Sequence, residues 1–205
     1  MALAAKERPV SYRDVLDAPE GMRAEILDGR LVMQARPMPA HDFTSGALNE
    51  ILRSSFQRGR GGPGGWWIVA EPELHLGDRD FRTLAPDLAG WRRERMPVIV
   101  PDRRYDVVPD WVCEILSPST ARSDRMLKMP IYADVGVRHL WMADPVARYL
   151  DVYELTDGRW TLVATHGDEG EASVAPFDAV PLPLAELWLP EPEPEEGAEP
   201  QPPSS

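Results

Sequence analysis

The segment Pro109-Asp-Trp-Val-Cys-Glu-Ile-Leu-Ser-Pro-Ser-Thr120 joins an apolar run to a polar turn and carries one acid inside the run. Apolar residues on both sides of Glu114 predict a buried strand, where a charge is costly unless it is paired or binds a metal. A second acid, Asp87, follows Pro86 at the start of another short apolar run. Two carboxylates on neighbouring strands, with Lys128 nearby, can hold a divalent cation and stabilise a developing anion. This arrangement is typical of metal-dependent phosphodiester cleavage.

The length and composition of the chain favour one globular domain spanning residues 1–190 of the 205. No apolar run approaches the roughly 20 residues of a membrane helix, and residues 1–6 are too short and too weakly apolar for a signal peptide. The single cysteine, Cys113, lies in the apolar run and is expected to be a buried small hydrophobe instead of a reactive thiol. We therefore expect a cytoplasmic protein that does not associate with membranes.

The net charge of −12 argues against nucleic-acid binding, which normally draws on a basic surface. Residues 191–205 are rich in proline and contain five glutamates, so this segment is predicted to be a disordered acidic tail. Removing these five charges from −12 still leaves −7 for the rest of the chain. Arginines nevertheless cluster locally, and the candidates for contacts with nucleic acid are Arg92, Arg93, Arg122 and Arg125.

Hydrophobic periodicity and turn residues predict an α/β fold with a mixed central sheet flanked by helices. Ser11 is expected to cap a short helix that ends at Leu16, and Asp28-Gly29 is expected to form the turn of a hairpin. The glycine-rich segment 59–65 lacks the lysine and serine of a phosphate-binding loop and is predicted to be a flexible connection. The other predicted elements are helices over 41–57 and 123–135, strands over 66–76, 84–92, 110–116 and 137–143, and a hairpin pairing 150–155 with 160–165.

Several short motifs, in order along residues 11–165, resemble the Uma-type family of putative restriction endonucleases, a branch of the PD-(D/E)xK nuclease superfamily. The motifs are Ala24-Glu-Ile-Leu-Asp-Gly29, His41, Ala85-Pro-Asp87, Val112-Cys-Glu-Ile-Leu-Ser-Pro-Ser-Thr120, Asp124 to Lys128, Tyr132-Ala-Asp-Val-Gly-Val137 and Leu140-Trp-Met-Ala-Asp-Pro145. The resemblance implies a restriction-endonuclease-like fold and a nuclease active site.

The resemblance also implies roles for individual residues. Asp87 and Glu114 match the two acids of the superfamily motif, and the lysine expected two residues after the second acid is replaced by Leu116. Lys128 matches the lysine of a variant motif in which this residue lies on the next helix. The implied catalytic residues are therefore Asp87, Glu114 and Lys128. The implied metal ligands for Mg²⁺ or Mn²⁺ are Asp87, Glu114 and the backbone carbonyl of Ile115. Glu71, on the preceding predicted strand, is a further candidate ligand.

Four more residues are candidates for the cleft around these groups. Asp124, Lys128 and Tyr132 are spaced to share one helix face, although Pro130 would disrupt a regular helix near Lys128. Glu25 and His41 match family positions near the expected cleft. Each candidate also has a structural interpretation: a turn residue for Asp87, a partner for a structural cation for Glu114, and a solvated helix residue for Lys128. Glu25 could be a strand-surface acid and His41 a helix cap, while Ser117 and Thr120 favour turn and capping roles over that of a nucleophile.

Two functions from different classes follow from these patterns. One is a Mg²⁺- or Mn²⁺-dependent endonuclease that hydrolyses DNA phosphodiester bonds. The other is a non-catalytic interaction module that retains the nuclease fold, which the acidic surface and the missing strand lysine favour. The chain also contains seven tryptophans, and a single core is not expected to bury all of them. Cleavage of both DNA strands would also be served by two active sites. We therefore expect a homodimer.

Overall fold

A computed structural model describes residues 8–35, 38–99, 101 and 104–190, and the predicted disordered tail at 191–205 lies outside them. The helices are α1 (Tyr12–Leu16), α2 (Pro39–Leu52), α3 (Ala121–Ser123) and α4 (Met129–Val135), with π-helical turns at Arg53–Gln57 and Asp124–Lys128 and a 3₁₀ turn at Leu184–Leu187. The strands are β1 (Met22–Leu27), β2 (Arg30–Ala35), β3 (Trp66–Ala70), β4 (Glu73–His75), β5 (Thr83–Leu84), β6 (Leu88–Arg92), β7 (Arg104–Tyr105), β8 (Trp111–Ile115), β9 (His139–Asp144), β10 (Tyr149–Thr156), β11 (Arg159–His166), β12 (Glu171–Ala172) and β13 (Leu182–Pro183).

The central sheet is mixed, which confirms the α/β fold expected from the sequence. Its strand order is β11-β10-β9-β8-β6-β3, with β8 and β9 parallel and the other neighbours antiparallel. Strand β8 lies inside this sheet and is buried along its whole length, as the apolar run around Glu114 predicts. Alternate residues of β8 enter two different cores, with Trp111 and Cys113 on one face and Val112 on the other.

A second sheet of five strands has the order β2-β1-β5-β4-β7. The predicted hairpin of β1 and β2 is confirmed, with Leu27 paired to Arg30 across Asp28-Gly29. Both turn residues have positive φ, +47° at Asp28 and +74° at Gly29, as a two-residue hairpin turn requires. At the start of the described chain, the Ser11 N–H donates to Asp14 Oδ2 at 2.9 Å, which confirms the predicted helix start.

Two strands that the sequence predicts as continuous are each interrupted, so the predictions for 66–76 and 84–92 are wrong in this respect. The chain bends after β3 at Glu71, where φ is +47°, and β4 then joins the other sheet. The segment 85–87 similarly separates β5 from β6. Pro72 and Pro86 lie at these bends, and a proline cannot donate to a strand ladder. Apolar periodicity continues through both bends, so the pattern alone does not reveal them.

The helix predicted over 123–135 has a wide turn that resolves the difficulty posed by Pro130. In the turn Asp124–Lys128, the Met129 N–H bonds to the Asp124 carbonyl, five residues earlier instead of four. Pro130 then lies in the first turn of α4, where a backbone N–H is not required. The helix therefore continues through Lys128 to Gly136, whose φ of +83° ends it.

The tryptophan content does not require a second subunit, contrary to the premise of the expected homodimer. Five of the seven, Trp66, Trp91, Trp111, Trp141 and Trp188, are buried within the described chain. The indoles of the two partly buried tryptophans donate to backbone carbonyls of Met96 and Met129. The homodimer stays a prediction.

In the described part of the chain, no helix combines the length and apolar character needed to cross a bilayer.

Candidate active site

Strands β6 and β8 bring the two predicted acids to the same place. Leu88, the first residue of β6, pairs with Cys113 of β8, so Asp87 just before β6 lies near Glu114, which follows Cys113. Both side chains are buried, and Asp87 Oδ2 accepts the Ile115 N–H at 2.7 Å. This bond fixes Asp87 against the end of the strand that carries Glu114.

Lys128 reaches Glu114 from the helix, although the position two residues after Glu114 is a leucine. Its Nζ lies 3.2 Å from Glu114 Oε2, 3.2 Å from Glu25 Oε2 and 3.3 Å from Asp124 Oδ1. The Tyr132 hydroxyl donates to Glu114 Oε1 at 2.6 Å. The helix face predicted from the sequence is thus present. Lys128 is buried, so its interpretation as a solvated residue is wrong.

Asp87 is held by two basic side chains from other elements. Arg23 Nη1 donates to Asp87 Oδ1 at 3.0 Å, and His41 Nε2 lies 3.3 Å from Asp87 Oδ2. His41 is the third residue of α2 and does not cap it, so its interpretation as a helix cap is wrong. Glu25 is fully buried and accepts the Ala85 N–H at 2.7 Å, so it is not a surface acid.

Arg23 is a site residue that the sequence analysis missed. It precedes Glu25 by two positions in β1, and residues two apart on a strand share a face. The match of Glu25 to the family motif could therefore have directed attention to Arg23. Its contact with Asp87, however, joins residues 64 positions apart, which strand periodicity alone does not predict.

The remaining candidates differ in their positions relative to the two acids. Glu71 lines the cleft beside them, with its side chain 64 % exposed and its Oε1 3.8 Å from Arg23 Nη1. The hydroxyls of Ser117 and Thr120 lie 3.0 Å apart, consistent with the predicted turn.

The four arginines predicted to contact nucleic acid are not among the residues that line the cleft in the described chain. Arg92 and Arg93 lie over the rings of Trp66 and Trp67 near the far end of β6. Arg125 donates to the Tyr149 hydroxyl, and Arg122 is exposed on α3. The structure therefore does not bring these residues together with the acids.

The acids lie in a cleft of about 1010 Å³ between the two sheets and α2. Carboxylates in its lining outnumber the permanent cations, which are Arg23 and Lys128. The lining acids are Asp42, Glu71, Glu73, Asp87, Glu114 and Asp124. A phosphodiester entering this cleft would meet net negative charge, so additional positive charge is needed for it to bind.

The pKa values of Asp87 and Glu114 are shifted in opposite directions. Burial alone would raise the pKa of Asp87, but the hydrogen bond from His41 and the charge of Arg23 outweigh burial and lower this pKa below its ordinary value. Burial raises the pKa of Glu114 to about 8, despite the opposing charge of Lys128. Asp87 is therefore ionised at neutral pH, whereas Glu114 exchanges a proton near neutral pH.

The surroundings of Lys128, Tyr132 and Asp124 also shift the pKa values of these groups. Burial would lower the pKa of Lys128, but the charges of Glu114, Glu25 and Asp124 raise it above its ordinary value, so the amine stays charged. Burial, together with the Glu114 charge, raises the pKa of Tyr132 well above its ordinary value, so its hydroxyl remains a donor. Burial likewise raises the pKa of Asp124.

The donor chemistry of the cleft fits a divalent cation. Among the described residues, the buried carboxylates of Glu25, Asp87, Glu114 and Asp124 pair with two permanent cations, Arg23 and Lys128. Glu25 Oε2 and Asp124 Oδ1 accept no hydrogen bond, although both lie near Lys128 Nζ. Each carboxylate can accept about four hydrogen bonds, and Glu114 receives two. No three His, Cys, Asp or Glu side chains form a preformed metal cage within the described ranges, so the two acids would need the carbonyl of Ile115 or water as further ligands.

Comparisons with known proteins show the family and the fold of the chain. A family model described as "Uma2: Putative restriction endonuclease" matches residues 10–185. The chain is also similar to a solved structure, that of a putative nuclease belonging to DUF820 from Anabaena variabilis. The two share 20 % sequence identity with a TM-score of 0.67, and the match covers 87 % of this chain and 97 % of that one. At this identity the similarity establishes the fold. A search of curated proteins found no match.

Proposed function

Because the chain belongs to the Uma2 family of putative restriction endonucleases, we propose that its cleft hydrolyses DNA phosphodiester bonds with Mg²⁺ or Mn²⁺. One observation carries this proposal: Asp87 and Glu114 line the same cleft, Asp87 Oδ2 accepts the N–H of Ile115 next to Glu114, and the buried amine of Lys128 lies 3.2 Å from Glu114. The helix thus supplies the cation that the strand lacks at Leu116.

The oxygen donors divide between metal binding and support. Asp87, Glu114 and the carbonyl of Ile115 would hold the cation, and exposed Glu71 could add a ligand from the cleft wall. When bound, Mg²⁺ or Mn²⁺ would supply Lewis-acid polarisation of the phosphate and lower the pKa of a coordinated water. His41 orients Asp87 through its Nε2, and Tyr132 orients Glu114 through its hydroxyl.

Lys128 acts through its charge and not as a base in this proposal. The surrounding acids raise its pKa, so the amine keeps its proton at neutral pH. A fixed ammonium can donate to a phosphoryl oxygen and stabilise the negative charge that develops in the transition state. Its three carboxylate partners hold the amine in place, so little reorganisation is needed when substrate binds.

Plasmid cleavage in Mg²⁺ or Mn²⁺ tests the proposed function. We expect the wild-type protein to cut, and Asp87→Asn and Glu114→Gln to lose at least about a hundredfold in rate. Asp110→Asn is the matched control. Asp110 is also a buried aspartate, and its carboxylate accepts hydrogen bonds from an arginine side chain and from a backbone N–H. It lies at the opposite end of the β6–β8 pair from Asp87.

Two results of this assay would contradict the proposal. The first is the absence of cleavage by the wild-type protein across a range of metals and DNA forms. The second is equal cleavage by the wild-type protein and by Asp87→Asn or Glu114→Gln, because the acids would then have no part in the reaction.

A non-catalytic interaction module is the second candidate function, and the ion pairs favour it. Asp87 already pairs with Arg23, and Glu114 with Lys128, so each acid has a protein cation. Titration calorimetry with Mn²⁺ separates the two functions. Binding that is lost in Asp87→Asn and Glu114→Gln supports the nuclease, and no binding by the wild-type protein supports the module.

The proposed substrate sets the expected partners and location. The family description makes DNA the natural candidate, and a homodimer would provide two sites for cutting both strands. An enzyme with this substrate and one buried cysteine fits the cytoplasm.

A further inference from the structure

The two permanent cations of the cleft differ in how firmly they are held. The Lys128 side chain is 2 % exposed and has three carboxylates within 3.3 Å. The Arg23 side chain is 22 % exposed and pairs with one buried carboxylate, Asp87 at 3.0 Å, and one exposed carboxylate, Glu71 at 3.8 Å. Moving Lys128 would leave three buried acids without a cation, which is strongly unfavourable. Arg23 is therefore the cation of this pair that can leave its position.

The Arg23 guanidinium contacts a buried carboxylate, a backbone carbonyl and an exposed carboxylate. Its Nη1 donates to Asp87, and its Nη2 donates to the Pro86 carbonyl at a longer 3.3 Å. The exposed carboxylate of Glu71 lies 3.8 Å from Nη1 on the solvent side of the same cleft. A guanidinium displaced from Asp87 toward solvent would therefore still lie near an anion, Glu71.

A divalent cation on Asp87 would compete directly with Arg23. The guanidinium occupies Oδ1, while Oδ2 receives the Ile115 N–H and lies beside His41. A second positive charge at Oδ1 would lie within a few ångströms of Arg23, where repulsion between like charges is large. Cation binding at Asp87 therefore favours release of Arg23 into the cleft.

A released guanidinium could bind the phosphate of a substrate in the cleft. Its planar fork can bond two oxygens of one phosphate, which a lysine amine cannot do with the same geometry. The remaining lining is mainly acidic, so a freed Arg23 would be the main mobile positive charge available to a phosphodiester there.

We propose that Arg23 is an exchangeable cation, which neutralises Asp87 in the free protein and transfers to a substrate phosphate when a divalent cation binds Asp87. This inference rests on the proposed function, and it assigns Arg23 to phosphate binding. It also predicts that the divalent cation strengthens substrate binding in two ways: through its own charge and through the release of Arg23.

Calorimetry with Mn²⁺ alone tests the first half of the exchange. Arg23→Gln removes the competitor, so Mn²⁺ should bind about tenfold more tightly than to the wild-type protein. A purely structural Arg23, needed to hold Asp87 in place, would give the opposite result, weaker binding. Arg95→Gln is the matched control and should leave Mn²⁺ binding unchanged. Arg95 pairs with the buried Asp110 at 2.7 Å, away from the cleft.

Binding of a phosphorothioate DNA duplex in Ca²⁺ tests the second half. Arg23→Gln should bind this duplex about tenfold more weakly, because a bidentate phosphate contact is lost. Arg23→Lys should retain near-wild-type Mn²⁺ affinity, since the charge remains, yet bind the duplex more weakly than the wild-type protein. Thermal melting of each variant shows whether the fold is intact.

The outcomes separate this inference from the proposed function. Unchanged or weaker Mn²⁺ binding by Arg23→Gln overturns the exchange even if the wild-type protein cleaves DNA. Unchanged duplex binding by Arg23→Gln overturns the transfer to phosphate. If the two predicted changes occur but the wild-type protein cleaves no DNA, the exchange stands and the proposed hydrolysis fails. A wild-type protein that binds no divalent cation overturns both.

Discussion

At the scale of single residues, Lys128 is both a candidate catalytic group and a structural one. Its amine balances three buried carboxylates, of Glu25, Glu114 and Asp124. A catalytic lysine on a flexible surface helix would be dispensable for folding. This one lies under the cleft, so its replacement should affect stability as well as activity.

The substitution Lys128→Met should lower the free energy of unfolding by roughly 3–5 kcal/mol at pH 8, because it leaves buried acids without a cation. At pH 5 the loss should be smaller, since the acids left unpaired take up protons and become neutral. Urea denaturation at both pH values measures the difference. Arg95→Met, at the half-exposed ion pair with Asp110, should cost less and provides the comparison. Equal losses for Lys128→Met at both pH values would contradict this account.

Glu114 gives divalent-cation binding a defined pH dependence. Its pKa is raised to about 8, so at pH 6 the carboxyl carries a proton that a cation must displace. Mn²⁺ affinity should therefore rise about tenfold per pH unit from pH 6 toward 8 and level off above it. Calorimetry in two buffers of different ionisation enthalpy should also detect proton release. Glu114→Gln should bind weakly with little pH dependence, and a flat wild-type profile would contradict this prediction.

At the scale of elements, the site depends on α2, which carries His41, and on β6, which follows Asp87. Each element contains a glycine in a different environment. A Cβ added at Gly46 in α2 would meet no atom within 4 Å, whereas at Gly90 in β6 it would lie 3.1 Å from Trp111 Cε3. The same substitution should therefore have opposite effects at the two positions.

Gly46→Ala should raise the free energy of unfolding by about 0.5–1 kcal/mol, because alanine loses less conformational entropy in a helix. Gly90→Ala should lower it by about 1–3 kcal/mol, because the packed core must shift to accept the methyl group. Urea denaturation of both variants measures these changes. Mn²⁺ affinity should be unchanged in Gly46→Ala, and destabilisation by this variant would contradict the open environment of Gly46.

At the scale of the whole molecule, the acidic charge opposes the proposed substrate. The net charge is −12, and five of the acidic residues lie in residues 191–205. In our proposal the divalent cation and Arg23 provide local attraction that this general charge does not. DNA affinity should consequently depend on both the divalent cation and the tail.

Deleting residues 191–205 should strengthen nonspecific DNA binding at low salt, because five negative charges are removed. The gain should shrink near 0.5 M salt, where the screening length falls to roughly 4 Å. Fluorescence anisotropy with and without the tail, at low and high salt, measures the effect. If neither tail removal nor divalent cation changes affinity at low salt, DNA is not the ligand of this cleft.

The sequence by itself determined the local elements and the two acids. The hairpin turn at Asp28-Gly29, the helix start at Ser11 and the buried strand around Glu114 follow from interactions over a few residues. Turn residues, capping groups and apolar periodicity encode such features directly. The free-energy cost of burying an unpaired carboxylate also indicates, from the sequence alone, that Glu114 has a cationic or metal partner.

Only the tertiary structure decided which groups meet at the site. Strand breaks near Glu71 and Asp87 place two sheets around one cleft, and the π-helical turn directs Lys128 toward Glu114. Arg23 meets Asp87 across 64 positions of the chain. Such contacts depend on strand register and on packing between distant elements, and no local pattern carries that information. The sequence therefore determined the two acids and Lys128, and the fold determined their arrangement and added Arg23.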